Sequence, residues 1–129
     1  MKDKRAQSIQ KVYRYYKIYG LSRALNKVSG RLRSFNFFKP RFIFSRPFIG
    51  LIGCGQFQFS TIAYFLSKSL TNKFLFCYDI EQKNAITLAT YYSVPSVITN
   101  SNEILDIENT KLVYIASNHA THTEYAIKY

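Results

Sequence analysis

The feature that most constrains this chain is a short apolar run that ends in paired glycines. Residues 48–52 (Phe-Ile-Gly-Leu-Ile) have the character of a buried parallel strand and lead directly into Gly53-Cys54-Gly55-Gln56-Phe57-Gln58. From Phe57 to about Leu70 the pattern changes to a helical one, with Phe59, Ile62, Ala63, Leu66 and Leu70 on one stripe. Strand, Gly-x-Gly and helix in that order let a backbone approach a pyrophosphate. The first glycine makes the turn and the second leaves no side chain in the way. The free N–H groups at the helix start then face the anion.

A Gly-x-Gly by itself is an ordinary turn, and the following segments give it meaning. Residues 74–78 (Phe-Leu-Phe-Cys-Tyr) form a second buried run that ends in Asp79, 26 residues after Gly53. That is near the spacing at which a carboxylate grips the adenosine ribose of a dinucleotide. Asp79 would serve equally as the N-cap of a helix from Glu81 to about Tyr92. A carboxylate there repels a 2′-phosphate, and Ile80 and Glu81 offer no Arg to accept one, so NAD is favoured over NADP. Val97-Ile98 is a short third strand, and Ser101-Asn102-Glu103 starts a helical turn around Ile104 and Leu105. Residues 111–116 make a fourth strand, followed by Ser117-Asn118-His119-Ala120-Thr121-His122 and a helix beginning near Thr121. The fold class expected is α/β: an incomplete doubly wound parallel sheet of four strands, in the order 3-2-1-4. Its fourth strand is an apolar edge, which is an aggregation liability.

These residues resemble the glucose–fructose oxidoreductase/inositol dehydrogenase (Gfo/Idh/MocA) family over roughly residues 47–129. The loop at 53–57, the strand ending in Asp79, and the stretch from Ile115 to His122 carry the resemblance. The last is similar to the family's Ala-Thr-Pro-Asn-x-x-His signature, with Ser117 at its Thr, His119 at its Asn and His122 at its His. The resemblance implies a Rossmann domain that binds NAD through Gly53, Gly55, Gln56, Phe57 and Asp79. It also implies cofactor contacts for Ser117, Asn118, His119 and His122. Gln58 departs from the family's Gly or Ala at the third loop position, which loosens the expected approach of the first helix to the sheet. Asn118 replaces the usual Pro. The family's Glu-Lys-Pro motif, which holds its catalytic Lys, does not occur in the sequence. No catalytic residue and no metal ligand is therefore assigned, and the chain is expected to be the cofactor-binding part of an oxidoreductase acting on a sugar- or polyol-type alcohol or ketone, a fragment without the substrate domain. S-adenosylmethionine-dependent methyltransferases share the Gly-x-Gly and the acid after the second strand, but the segment at 117–122 speaks against that class.

Charge divides the chain. Residues 1–47 hold thirteen Lys and Arg against one acid, Asp3, whereas residues 48–129 hold five Lys against six acids. The overall excess of +11 therefore describes a leader, residues 1–46, and the fold that follows from 47 to 129 is near neutrality. In the leader, Val12, Tyr15, Tyr16, Tyr19, then Leu21, Leu25 and Val28 recur at helical spacing, with Gly20 as a break. Pro40 and Pro47 favour extended chain around the aromatic and basic residues 35–44. The leader reads first as a solvated arm packed against the rest of a longer protein; tyrosines opposite lysines also suit an anionic membrane surface, and RNA is the less favoured partner. A non-catalytic module docked through this leader is the alternative reading. Cys54 and Cys77 have no metal-ligand or disulfide spacing, and no apolar run reaches the roughly 18 residues of a membrane span. The expected location is the cytoplasm, with peripheral membrane association; the residues do not indicate an oligomeric state.

Overall fold

The computed structural model describes residues 2–33, 46–69 and 73–129. The extended stretch expected at 35–44 and the end of the first helical stripe at Leu70 lie outside them. Two helices lead, α1 (Lys2–Tyr19) and α2 (Leu21–Arg31), separated at Gly20. Four strands follow, β1 (Ile49–Ile52), β2 (Phe74–Tyr78), β3 (Ser96–Ile98) and β4 (Leu112–Ile115), all parallel and in the order β3-β2-β1-β4. A π-helical turn (Gln58–Ile62) continued by α3 (Ala63–Ser69) joins β1 to β2, and α4 (Gln82–Tyr92) joins β2 to β3. A 3-10 turn (Ser101–Asp106) precedes β4, and α5 (His119–Lys128) follows it.

The sheet separates two apolar clusters, as parallel strands covered on both faces require. On one side Ile49, Leu51 and Cys77 meet Phe59, Ala63, Leu88 and Tyr92. On the other Ile52 and Phe76 meet Ile104 and Tyr125. The β1–β2 register slips between Ile49 and Gly50, so Phe74 joins the first cluster while Leu75 and Phe76 both join the second. Phe76 then lies across Gly50, where a Cβ would stand 2.1 Å from its ring. Full burial of that ring contributes roughly 2–3 kcal/mol, and only a glycine partner leaves it room.

The charge boundary near residue 47 is not a packing boundary. Helix α2 lies on the layer formed by the π turn, α3 and α4, and the face it presents is polar. Ser22 Oγ pairs with the Tyr64 hydroxyl at 3.0 Å, and Asn26 Nδ2 donates to the hydroxyls of Tyr91 at 3.3 Å and Tyr92 at 3.1 Å. The Arg23 guanidinium stands 4.3 Å from the centre of the Phe65 ring. Leu21 and Leu25, two of the apolar residues that recur at helical spacing, face solvent at 61% and 56% exposure. The reason lies in the surface beneath: tyrosine hydroxyls buried under an apolar helix face would lose water without replacement, at about 1–3 kcal/mol each. The Tyr92 hydroxyl is satisfied twice, donating to the Phe59 carbonyl while accepting from Asn26.

Gln58 is fully buried, and the chain around it takes the wider π turn. That wider turn makes room for a long side chain where a tight helix would need Gly or Ala. Neither amide atom of Gln58 has a hydrogen-bond partner among the described residues. Gln58→Met, which keeps the length and removes the unpaired amide, is expected to raise the thermal midpoint by about 5 °C. A midpoint that stays put or drops in a thermal melt would show that the amide is satisfied.

Candidate functional site

At the C-terminal ends of the strands, β1 and β4 part because their following helices cover opposite faces of the sheet. The crevice between them has a volume of about 250 Å³ and is lined by Gly53, Gly55, Asp79, Ser117 and Asn118, together with Ile52, Tyr78, Ile80, Ala116, Thr121 and Tyr125. Its floor exists because of Gly53. This residue has φ +82°, and a Cβ on it would stand 2.5 Å from Ser117 N and 2.6 Å from the Ala116 carbonyl carbon. Any side chain would therefore be strained in conformation and would collide with backbone. At Gly55 the position of a Cβ is open space, with no atom of the described residues within 4 Å.

Asp79 ties the loops together. Its Oδ2 accepts from the Cys54 N–H at 2.5 Å and its Oδ1 from the Glu81 N–H at 2.8 Å. The N-cap position of α4 is Glu81, whose side chain makes no capping bond, so Asp79 braces the turn before the helix and not the helix start. A carboxylate has about four acceptor sites, which leaves capacity toward the crevice.

On the opposite wall, α5 begins at His119, two residues earlier than the pattern suggests. Asn118 is the reason: it is the N-cap, its Oδ1 accepting from Thr121 N at 3.1 Å. Ser117 Oγ meets Thr121 Oγ1 at 3.0 Å. His122 turns back so that Nε2 lies 2.6 Å from the Ser117 carbonyl oxygen, bracing the wall from behind. His119 is exposed, its ring 5.5 Å from that of His122. The side chains of Gln56 and Phe57 also point away: Gln56 lies against Gly30 of α2, and Phe57 is 60% exposed. From these two residues only the backbone faces the loop's concave side.

Sequence reasoning passed over three contributors. Thr121 and Tyr125 recur at i and i+4 on α5, a spacing that would have found them once Asn118 was recognised as the cap. Arg33 carried no local signal. It follows α2 and reaches the outer side of the glycine loop, where Nη2 donates to the carbonyls of Cys54 at 2.6 Å and Gly55 at 2.8 Å, and Nη1 donates to Asn84 Oδ1 at 2.8 Å. Partial burial lowers the pKa of this guanidinium, while the Asp79 carboxylate opposes that shift. Cys54 and Cys77 are both buried and unbridged. The hydrogen bond to Cys77, then burial, push the Cys54 thiol far above its usual range, which keeps it protonated and unreactive. No cluster of His, Cys, Asp and Glu suited to a metal ion occurs among the described residues.

Tyr125, at the back of the crevice, packs edge-on to Tyr78 with ring centres 6.3 Å apart. Burial, then its hydrogen bond with Tyr78, raise its phenol to about 12. A value raised in the folded state adds stability that is complete below about pH 10 and is lost as the pH climbs toward about 12. Tyr125→Phe is therefore expected to flatten the alkaline fall in stability over that interval, measured by denaturant unfolding at each pH. An unchanged slope would contradict the shift.

No curated protein and no solved structure matches this chain. The family model for the Gfo/Idh/MocA oxidoreductases, described as an oxidoreductase family with an NAD-binding Rossmann fold, matches residues 48–129. That match spans every strand of the sheet, and with it the methyltransferase alternative loses its support. Match, strand order and glycine loop agree, and the chain belongs to the Gfo/Idh/MocA family of NAD-binding Rossmann oxidoreductases.

Proposed function

We infer that the crevice between β1 and β4 binds NAD(H) as the cofactor half of an oxidoreductase acting on a sugar- or polyol-type alcohol or ketone. The observation that carries this reading is the Asp79 carboxylate, held at the crevice rim by two backbone amides with lone pairs to spare. The open space at Gly55, where no atom of the described residues stands within 4 Å of a Cβ position, fits a pyrophosphate. Gly53, Gly55 and the backbone amides of Gln56 and Phe57 hold the pyrophosphate, and Asp79 accepts from the adenosine ribose hydroxyls. Ser117 and Asn118 close the other wall, with His119 at its outer edge and His122 fixing the Ser117 carbonyl. The bound nicotinamide supplies or accepts the hydride; the residues named here bind and orient it.

NAD is preferred to NADP because Asp79 repels a 2′-phosphate. Arg33 does not offset this, since three of its five N–H bonds are already directed at Cys54, Gly55 and Asn84. Calorimetric titration with NAD+ is expected to give a dissociation constant between micromolar and millimolar. Asp79→Ala should weaken it about tenfold and narrow the preference over NADP+. A folded chain that binds neither dinucleotide would remove this reading.

The division into a leader, 1–46, and a cofactor domain, 47–129, suggests a second role for α1. Ile9, Val12, Tyr13, Tyr16 and Tyr19 form a stripe of α1 that is exposed to solvent, flanked by Lys11, Arg14 and Lys17. No helix among the described residues is long and apolar enough to cross a membrane. A cytoplasmic protein that lies on an anionic bilayer through this stripe accounts for its exposure better than RNA does, since the aliphatic members have nothing to stack on. Co-sedimentation is expected with phosphatidylcholine vesicles that contain phosphatidylserine and not with those that lack it. Binding should fall with added salt and with Lys11→Glu/Lys17→Glu. Equal binding to both vesicle types would rule the bilayer out.

A further inference from the structure

The glycine loop is the part of a dinucleotide site that depends most on backbone orientation, because its ligands are peptide N–H groups. In a trans peptide the C=O and the following N–H point in opposite directions. A group that holds the carbonyls of two successive loop peptides on one side therefore presents two amides on the other. Arg33 makes this contact: a single nitrogen, Nη2, reaches both the Cys54 and the Gly55 carbonyl oxygens. The peptides concerned are those whose N–H groups belong to Gly55 and Gln56, and neither N–H donates to an acceptor among the described residues. The Gly55 carbonyl also accepts from Phe59 N at 3.0 Å, so the same oxygen is held by the helix and by the guanidinium.

The guanidinium itself is fixed from three directions. Asn84, on the first turn of α4, accepts from Nη1; the Phe59 ring lies 4.8 Å from the guanidinium carbon; and α2, anchored through Asn26 and Ser22, brings the chain to this point. From the other side Asp79 takes the Cys54 N–H. A cation on the carbonyl side and a carboxylate on the amide side thus fix consecutive peptides of one turn. A cation bonded to a carbonyl oxygen also draws electron density through the peptide, which strengthens the N–H at its far end as a donor.

We propose that Arg33, supplied from the basic leader, is a positioning residue for the pyrophosphate of the cofactor: it holds the Cys54 and Gly55 carbonyls so that the Gly55 and Gln56 amides face the phosphates. This rests on the crevice being the dinucleotide site and adds that the site is incomplete without the segment that precedes the family's domain. Arg33 touches no cofactor atom, and its effect is confined to ligands that carry phosphate.

The experiment uses the full chain with NAD+, ADP and adenosine as probes at one ionic strength, with thermal melts of every variant. Arg33→Met is expected to weaken NAD+ and ADP about tenfold, the scale of one or two charge-assisted contacts, and to leave adenosine within about twofold. Arg33→Lys, which keeps one charged nitrogen but is shorter and lacks the second nitrogen that Asn84 holds, should fall between. It also serves as the reporter should Arg33→Met not fold. Loss of adenosine binding in parallel with NAD+ would show a general structural role and overturn the proposal, as would equal affinities of both variants and the parent chain for ADP. If the parent chain binds neither ADP nor NAD+, the cofactor reading falls and this inference with it. If the parent chain binds and the Arg33 variants bind equally well, this inference falls alone.

Discussion

Everything at the functional end of this molecule depends on a backbone-to-backbone contact at Gly53. There the loop after β1 presses against the loop after β4, with no space for even a methyl group between Gly53 and the Ala116–Ser117 peptide. The helices that follow these loops leave on opposite faces of the sheet, and the crevice opens above the contact. Asp79 is brought to its rim by β2, which pairs with β1 so that Ile52 lies beside Tyr78. The carboxylate then accepts the Cys54 amide, one residue beyond the glycine. Main-chain geometry, more than side-chain chemistry, decides the shape of the site.

The second organising fact is that the basic leader belongs partly to the fold. Helix α2 lies over a layer rich in tyrosine, and its buried residues are Ala24, Asn26 and Gly30 rather than the leucines of its sequence stripe, with Ser22 and Asn26 bonded to tyrosine hydroxyls. Polar docking of this kind is specific in a way that apolar docking is not, because each hydroxyl needs one partner in one place. That specificity delivers Arg33 to the outer side of the glycine loop. Helix α1 makes the complementary choice, leaving its apolar stripe in solvent.

Much of the architecture was legible. The strands at 49–52, 74–78, 96–98 and 112–115 stand within a residue or two of the apolar runs, and the parallel order follows from strands that alternate with helices. The helix break at Gly20 and the placement of Gly53, Gly55, Asp79, Ser117 and Asn118 around one crevice were legible for the same reason. Less legible was the start of α5, where Asn118 acts as cap two residues before the expected start. The need for glycine at position 50 was invisible, since it arises from a Phe76 ring on the neighbouring strand and a register slip that the pattern does not encode. Gln58 could be recognised as a departure, but the π turn that accommodates it could not.

What the sequence determined by itself is whatever acts over a few residues: strand and helix periodicity, the glycine that tolerates positive φ, and the carboxylate at a strand end. These preferences are properties of adjacent dihedrals and side chains, so they survive in the linear pattern. What the tertiary structure decided acts across long separations, as in Asn26 on Tyr92, 66 residues apart, and Arg33 on Cys54, 21 apart. The charge count marked residues 1–47 as basic but could not say which cation would be drawn out of solvent. Only packing selects Arg33 for the glycine loop, because two carbonyls and an amide oxygen already stand in place there to receive a guanidinium.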